Sequence, residues 1–125
     1  MDGKKVIIVE DDEFLSKMYA TKLDLEGFVV QEATSGLSGL KAIQKEKPDM
    51  VLLDLNLPEM DGFEVLRRMK EDSETKDIPV LVLTNYSQKD KIDRCLNLGA
   101  VDYLIKAHFV PSEVITKIKM ILKNF

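Results

Sequence analysis

Four apolar runs of strand length do most to limit what this chain can fold into. They lie at residues 6–9, 50–53, 80–83 and 101–104, and none follows a strict alternation of apolar and polar residues. Such runs, rich in Val, Ile and Leu, are typical of strands buried on both faces of a parallel sheet. A shorter run at residues 28–30 has more polar flanks, and we interpret it as an edge strand.

Five helical patterns separate and follow these runs. The first has one apolar face and reaches Gly27, a residue type that commonly ends helices. The third carries a capping-box pattern, with Asp61 at its start and Glu64 three residues later. The predicted starts of the second, fourth and fifth helices are residue 36, Ser87 and Pro111.

Five strands alternating with five helices predict an α/β fold of the flavodoxin-like type. Right-handed crossovers favour a doubly wound, five-stranded parallel sheet with strand order 2-1-3-4-5 and helices on both faces. The chain of 125 residues is long enough for one substantial core, so residues 1–125 are predicted to form a single domain.

Charge and cysteine content argue against several classes of protein. The net charge of −4 gives no indication of direct nucleic-acid binding. No apolar run is long enough to predict a membrane span, and residues 1–5 lack the core of a signal peptide. The single Cys95 cannot form an internal disulfide and fits a reducing cytoplasm, which is the predicted location.

Reactive side chains follow four of the predicted strands at their carboxyl ends. In chain order they are Glu10 and Asp11, Asp54, Thr84, and Lys106. Each has an ordinary explanation by itself, such as the helix N-cap that the neighbouring Asp12 is placed to form. Because the carboxyl ends of parallel strands meet at one edge, we expect these side chains to share one crevice.

The chemistry of this set indicates phosphoryl transfer. Three crowded carboxylates resist ionisation unless a cation joins them, and oxygen ligands in an open site suit Mg²⁺. Asp54 is then the candidate nucleophile, with its carboxylate oxygen attacking phosphorus. Mg²⁺, Lys106 and Thr84 would neutralise charge on the phosphoryl oxygens.

Four segments together resemble the receiver domain of two-component response regulators, including the chemotaxis regulators. They read VEDD, LLDLNLPEMDGFEVL, VLTNY and GAVDYLIKA, and they occur in the family's order across the whole chain. The resemblance implies that Asp54 accepts a phosphoryl group from a histidine kinase or phosphotransfer protein. It also implies that Asp11 binds Mg²⁺ directly, Glu10 binds it through water, and the backbone carbonyl of Asn56 completes the protein ligands.

The same resemblance implies a switch. Thr84 and Tyr103 correspond to the family's switch pair, the hydroxyl and the movable aromatic, and Tyr103 is expected to turn inward after phosphorylation. Asn56 and Tyr86 occupy positions that flank the path of water to the phosphoryl group and so influence its lifetime. The output surface would be helix 4–strand 5–helix 5, which acts on a downstream target or output domain and is where a homodimer could form.

One position departs from the family pattern. Receivers usually follow the strand 5 lysine with proline after a cis peptide, whereas here Lys106 is followed by Ala107. We expect a cis Lys106–Ala107 peptide enforced by its surroundings, although such a bond costs about 2.5–4 kcal/mol before a residue other than proline. The alternative is a trans bond with a rearranged loop at residues 106–108 and a less fixed lysine.

Rival functions remain open on sequence alone. A phosphohydrolase of the haloacid-dehalogenase type usually carries a second Asp two residues after the nucleophile, where this chain has Asn56. A flavodoxin-like cofactor binder is disfavoured because the acidic EDDE segment would repel a phosphate. A receiver used only for interaction, without phosphorylation, is the third alternative. We therefore expect a phosphoacceptor rather than an enzyme, while the cognate kinase, the output, the oligomeric state and the presence of further domains stay open.

Overall fold

Five parallel strands alternate with five α-helices in the computed structural model, which describes residues 2–124. The strands are β1 (Lys5–Val9), β2 (Val29–Ala33), β3 (Met50–Leu53), β4 (Val80–Thr84) and β5 (Asp102–Ile105). The helices are α1 (Glu13–Leu25), α2 (Gly36–Glu46), α3 (Gly62–Glu71), α4 (Lys89–Asn97) and α5 (Pro111–Lys123). The sheet order is β2-β1-β3-β4-β5, which confirms the predicted fold class and topology.

Successive residues of the central strands point to opposite faces and build two cores. Ile7 and Val9 of β1 pack with apolar side chains of α2, α3 and α4. Val6 and Ile8 pack with those of α1 and α5 on the other face. Both faces of the sheet are therefore covered, which explains why the central strands read as nearly continuous apolar runs.

Side-chain caps begin two of the helices where the sequence indicated them. Oδ1 of Asp12 accepts a hydrogen bond at 3.1 Å from the backbone N–H three residues on, at the start of α1. Oδ1 of Asp61 accepts one at 2.9 Å from the backbone N–H of Glu64 at the start of α3. The Glu64 side chain does not complete the capping box but pairs with Arg67 and Arg68.

Several predicted boundaries need correction, and β5 lies one residue later than predicted, at Asp102–Ile105. Helix α4 begins at Lys89 rather than Ser87, and its N-cap residue Gln88 makes no side-chain capping bond. The edge strand begins at Val29 and runs on to Ala33, since every residue of β2 is in register with a residue of β1. Strand pairing thus overrides the polar character of the segment.

None of the helices within residues 2–124 is both long enough and apolar enough to cross a membrane.

Candidate functional site

The register of the sheet brings the predicted site residues to the same edge. Val9 of β1 pairs with Leu53 of β3, so the residues that follow them, Glu10 and Asp54, leave the sheet at the same level. In the same way, Thr84 ends β4 beside Ile105 of β5. Lys106 follows directly, at the start of a short 3₁₀ helix that spans Lys106–His108.

Lys106 bridges the two buried acids. Its Nζ atom lies 2.5 Å from Oε1 of Glu10 and 3.0 Å from Oδ2 of Asp54. Only 4% of Glu10 and 6% of Asp54 is exposed. Because buried polar groups need partners, these contacts fix the relative positions of the three side chains.

The peptide bond between Lys106 and Ala107 is trans, and no peptide bond among residues 2–124 is cis. The predicted cis bond is therefore wrong. The alternative holds instead: the segment forms one 3₁₀ turn, in which the N–H of Phe109 donates to the carbonyl of Lys106 at 3.4 Å. The less fixed lysine of that alternative is not observed, since the side chain of Lys106 reaches both acids from this turn.

The carboxylate of Asp54 is held from two sides. Its Oδ1 accepts a hydrogen bond at 2.7 Å from the backbone N–H of Leu55, with a longer contact of 3.4 Å to the N–H of Asn56. Its Oδ2 faces the ammonium of Lys106. The side chain is therefore oriented before any ligand arrives, which favours its use as a nucleophile.

Gly62, at the start of α3, supports the backbone that carries Asp54. Its N–H donates to the carbonyl of Leu55 at 2.9 Å. A Cβ at this position would lie 2.2 Å from the carbonyl oxygen of Asp54 and 2.6 Å from the Cα of Leu55. Only glycine fits such a close approach, and this role cannot be read from the sequence because the contact is not visible in a linear motif.

Burial and mutual contacts shift the pKa values of the triad. Burial, assisted by hydrogen bonding and repulsion from Asp54, raises the pKa of Glu10 to about 8. Burial also acts to raise the pKa of Asp54, but hydrogen bonds to Glu10, Lys106 and Thr84 outweigh it and lower that pKa. Burial acts to lower the pKa of Lys106, but the two acids outweigh it and raise that pKa. These opposite shifts favour a proton on Glu10 over one on Asp54, and they favour the charged form of Lys106.

Three carboxylates form a cluster that suits a divalent cation. One carboxylate oxygen from each of Glu10, Asp11 and Asp54 lies within 4.8 Å of the others. Oε2 of Glu10 is buried and has no hydrogen-bond partner among residues 2–124. An oxygen-only donor set with an exposed member, Asp11, fits Mg²⁺, which keeps several waters when bound. The residues present therefore fit the ion that the sequence predicts, while a contribution from the Asn56 carbonyl stays a prediction.

The predicted switch residues meet through Tyr86. Thr84 is buried, and its Oγ1 lies 3.5 Å from the backbone N–H of Tyr86. The hydroxyl of Tyr103 donates to the backbone carbonyl of Tyr86. The half-buried ring of Tyr103 packs against the core on the α2–α3–α4 face of the sheet. Burial, with nearby Cys95, Asp54 and Tyr86, raises the pKa of Tyr103 to about 12, so its hydroxyl stays a donor at neutral pH.

The sequence matches one known protein family and several of its members. A family model described as the response regulator receiver domain matches residues 6–119. The transcriptional regulator RpaA of Synechocystis is 38% identical over 96% of this chain and 49% of its own length. The phosphate regulon regulator PhoB of Pseudomonas aeruginosa is 37% identical over 99% of this chain and 54% of its own length. The chain thus spans about half the length of these two relatives.

Shorter relatives and solved structures match over nearly their full length. The polar-differentiation response regulator DivK of Brucella ovis is 34% identical over 86% of this chain and 88% of its own length. A response regulator structure from Chloroflexus aurantiacus is 33% identical, covers 98% of this chain and 99% of its own, and has a TM-score of 0.89. A CheY-like receiver domain from Methanospirillum hungatei is 28% identical and has a TM-score of 0.91. The match covers 98% of this chain and 96% of the Methanospirillum chain.

Proposed function

We propose, since this chain belongs to the response regulator receiver domain family, that it is a signalling switch phosphorylated on Asp54. The phosphoryl donor would be a histidine kinase or a phosphotransfer protein. The observation that carries this proposal is the buried, ionised carboxylate of Asp54, held by the Leu55 N–H and by Lys106 at the edge of the sheet. Its lowered pKa keeps the nucleophile deprotonated at neutral pH.

The residues of this chain then perform distinct parts of the transfer. An oxygen of Asp54 attacks phosphorus, the bond between phosphorus and the donor imidazole nitrogen breaks, and that nitrogen keeps the electron pair. The ammonium of Lys106 lies within reach of Asp54 and would pair with a phosphoryl oxygen. Thr84 would donate its hydroxyl to another phosphoryl oxygen. Glu10, Asp11, Asp54 and the Asn56 carbonyl would hold Mg²⁺, which supplies charge neutralisation for the phosphoryl oxygens when bound.

The consequence of phosphorylation would be a change of surface rather than a chemical product. A phosphoryl group would draw the Thr84 hydroxyl away from the Tyr86 N–H. Tyr103, which donates to the carbonyl of the same residue, would then change its packing. These shifts would reach the surface made by α4, β5 and α5, where a downstream target, an attached output domain or a second copy could bind. RpaA is described as DNA-binding, so a DNA-binding output in a longer protein is one candidate.

Two rival functions make different predictions at the same site. An aspartyl-phosphate phosphohydrolase needs an acid or base beside the nucleophile, but position 56 holds an exposed Asn, whose amide cannot transfer protons as a carboxyl does. An interaction-only receiver has no use for a buried acceptor paired with Lys106. The site therefore supports a long-lived phosphoaspartate better than either rival.

A direct test uses acetyl phosphate with Mg²⁺ and intact-mass measurement. Uptake of one phosphoryl group, with no sustained turnover of a phosphomonoester, supports the switch. Rapid multiple turnover of the phosphomonoester would indicate the phosphohydrolase. No uptake from acetyl phosphate or from a phosphorylated phosphotransfer protein would indicate the interaction-only receiver.

A further inference from the structure

Helix α1 carries apolar side chains on two opposite faces. One face packs into the core through residues that include the buried Tyr19 and Leu23. The opposite face carries a stripe of four residues that border one shallow surface depression: Phe14, Met18, Thr21 and Leu25. Phe14 and Leu25, at the two ends of the stripe, are each 81% exposed. A surface helix needs only one apolar face to pack into its own domain, so the stripe indicates a binding surface.

The stripe has the spacing of a coiled-coil seam. Its members are separated by four, three and four residues along the chain, as are successive d and a positions of a heptad repeat. This spacing keeps the side chains on one side of a helix, where they fit between the side chains of a second helix. Because α1 has 13 residues and is about 20 Å long, the stripe fits one partner helix of similar length.

Charges beside the stripe indicate which helix fits it. Lys17 and Asp24 lie on the same flank, at the g positions of the heptad pattern, and both are exposed. Lys17 also pairs with Glu32 at 2.9 Å, but most of its side chain stays accessible to a partner. A two-fold axis between two antiparallel copies of α1 brings equal flanks together. Lys17 of each copy then meets Asp24 of the other, so α1 is complementary in charge to a second α1.

The same charges disfavour other arrangements. In a parallel pair the g position of one helix faces the following e position of the other, which would place Lys17 beside Lys22. Like charges in such positions repel each other. A surface of anionic lipids is also a poorer fit, because the exposed acids Glu13 and Asp24 lie on one flank of the stripe.

We propose that two copies of this chain form a dimer by antiparallel packing of their α1 helices. In this dimer Phe14 of each copy packs near Leu25 of the other, and Lys17 of each copy pairs with Asp24 of the other. One 13-residue helix from each copy makes a contact smaller than the roughly 1,000 Å² of a stable interface, so the dimer is weak and reversible. It does not require phosphorylation, and its surface differs from the one made by α4, β5 and α5.

Sedimentation velocity of the unphosphorylated protein, from about 10 μM to about 1 mM, tests this dimer in the range expected for a weak interface. The wild type should change from monomer to dimer as its concentration rises. Leu25→Ser should weaken the association at least about ten-fold, because each dimer loses two apolar contacts. Monomeric wild type at the highest concentration would overturn the proposal and leave the stripe to a different partner.

Met120→Ser is the matched control. Met120 is 57% exposed on α5 and borders a surface depression together with Asp102 of β5, so it reports on the other candidate surface for a second copy. This variant should associate as the wild type does. Weakening by Met120→Ser but not by Leu25→Ser would overturn the proposal.

Exchange of charges tests the antiparallel orientation. Asp24→Lys places a second lysine opposite Lys17 and should weaken association about two- to ten-fold. Lys17→Asp combined with Asp24→Lys reverses both pairs and should restore association to nearly the wild-type level. The variants are compared well below their melting temperatures, since Lys17→Asp also removes the pair with Glu32. Absence of recovery in the folded double variant would overturn the antiparallel arrangement.

Amide chemical shifts recorded during dilution locate the interface directly. Shifts of residues 14–25 should change with protein concentration, whereas the shift of Met120 should stay constant. Concentration-dependent changes confined to α4, β5 and α5 would contradict the proposal. All of these measurements use protein without a phosphoryl group, so their failure would leave the proposed function standing.

Discussion

Nζ of Lys106 lies 2.5 Å from Oε1 of Glu10, although strands β2, β3, β4 and β5 lie between the two residues along the chain. The same ammonium is 3.0 Å from Oδ2 of Asp54. One half-buried cation therefore serves two buried acids, and the raised pKa of Glu10 favours a proton on the second of them. This sharing explains how an acidic pocket can be stable before a divalent cation or a phosphoryl group enters it.

Replacing Lys106 by Met should leave the two acids without their shared cation. We expect the variant to lose about 1–3 kcal/mol of stability at pH 8, because a buried carboxylate then lacks its partner. The loss should be smaller at pH 5, where both acids can bind a proton. Urea denaturation at the two pH values in the presence of a chelator measures this difference. An equal loss at both values would show that Lys106 stabilises the fold by packing rather than by charge.

Glu10 should make the metal-free protein less stable as the pH rises. Its pKa is raised from 4.5 to about 8 in the folded chain, so between these values the folded state holds a proton that the unfolded state has lost. The contribution of Glu10 to stability is therefore fully present below pH 4.5 and declines as the pH rises towards 8, by at most about 1.4 kcal/mol per pH unit.

Glu10→Gln removes this titration and should flatten the dependence of unfolding free energy on pH between 5 and 8, roughly the span between the two pKa values. Urea denaturation in EDTA across this range provides the comparison. An identical slope in wild type and variant would contradict the assignment of the proton to Glu10.

Gly62→Ala should damage both stability and phosphorylation. The added methyl group would meet the backbone carbonyl of Asp54, which cannot move without displacing the Asp54 side chain. We expect a cost of about 1–3 kcal/mol, as is usual for forcing an extra group into a packed site. The rate of uptake from acetyl phosphate should fall even under conditions where the variant is fully folded. Normal uptake by a folded Gly62→Ala protein would show that the loop can relax without moving Asp54.

Thr84→Ala should still allow phosphorylation of Asp54 but should weaken the rearrangement at Tyr103 that follows it. The carboxylate of Asp54 keeps Lys106 and the Leu55 N–H, so uptake of the phosphoryl group should persist at a reduced rate. The hydroxyl that connects the site to Tyr86 is lost, so the rearrangement at Tyr103 should weaken. Amide chemical shifts of α4 and β5, measured with and without phosphorylation, report this coupling. Shift changes as large as in the wild type would contradict it.

The sequence was a good guide wherever burial decides the structure. The apolar runs at β1, β3 and β4 predict strands because these strands are covered on both faces of the sheet. Side chains such as Ile7 and Val51 are fully buried, and an apolar side chain is therefore favoured at every position. The topology followed from chain length and crossover handedness. The site residues could be predicted to share one edge because parallel strands end together.

The sequence predicted the structure poorly where only a few contacts decide between conformations of similar energy. Ser87 has a good capping side chain, yet α4 begins two residues later with no side-chain cap. The cis bond at Lys106 was inferred from the need for the lysine to reach Asp54, but a flexible side chain on a trans 3₁₀ turn spans the gap. The bridge from Lys106 to Glu10 and the fit of Gly62 against Asp54 depend on three-dimensional contacts that no linear pattern records.

Peptide mapping of protein phosphorylated with acetyl phosphate and Mg²⁺ shows whether Asp54 is the phosphoryl acceptor. We expect the added phosphoryl group on the peptide that contains Asp54, no uptake by Asp54→Asn, and uptake by Asp12→Asn equal to that of the wild type. Asp12 is a suitable control because it is an exposed carboxylate nearby whose contact in the structure is the cap of α1. A phosphoryl group mapped to another residue, or undiminished uptake by Asp54→Asn, would contradict the account.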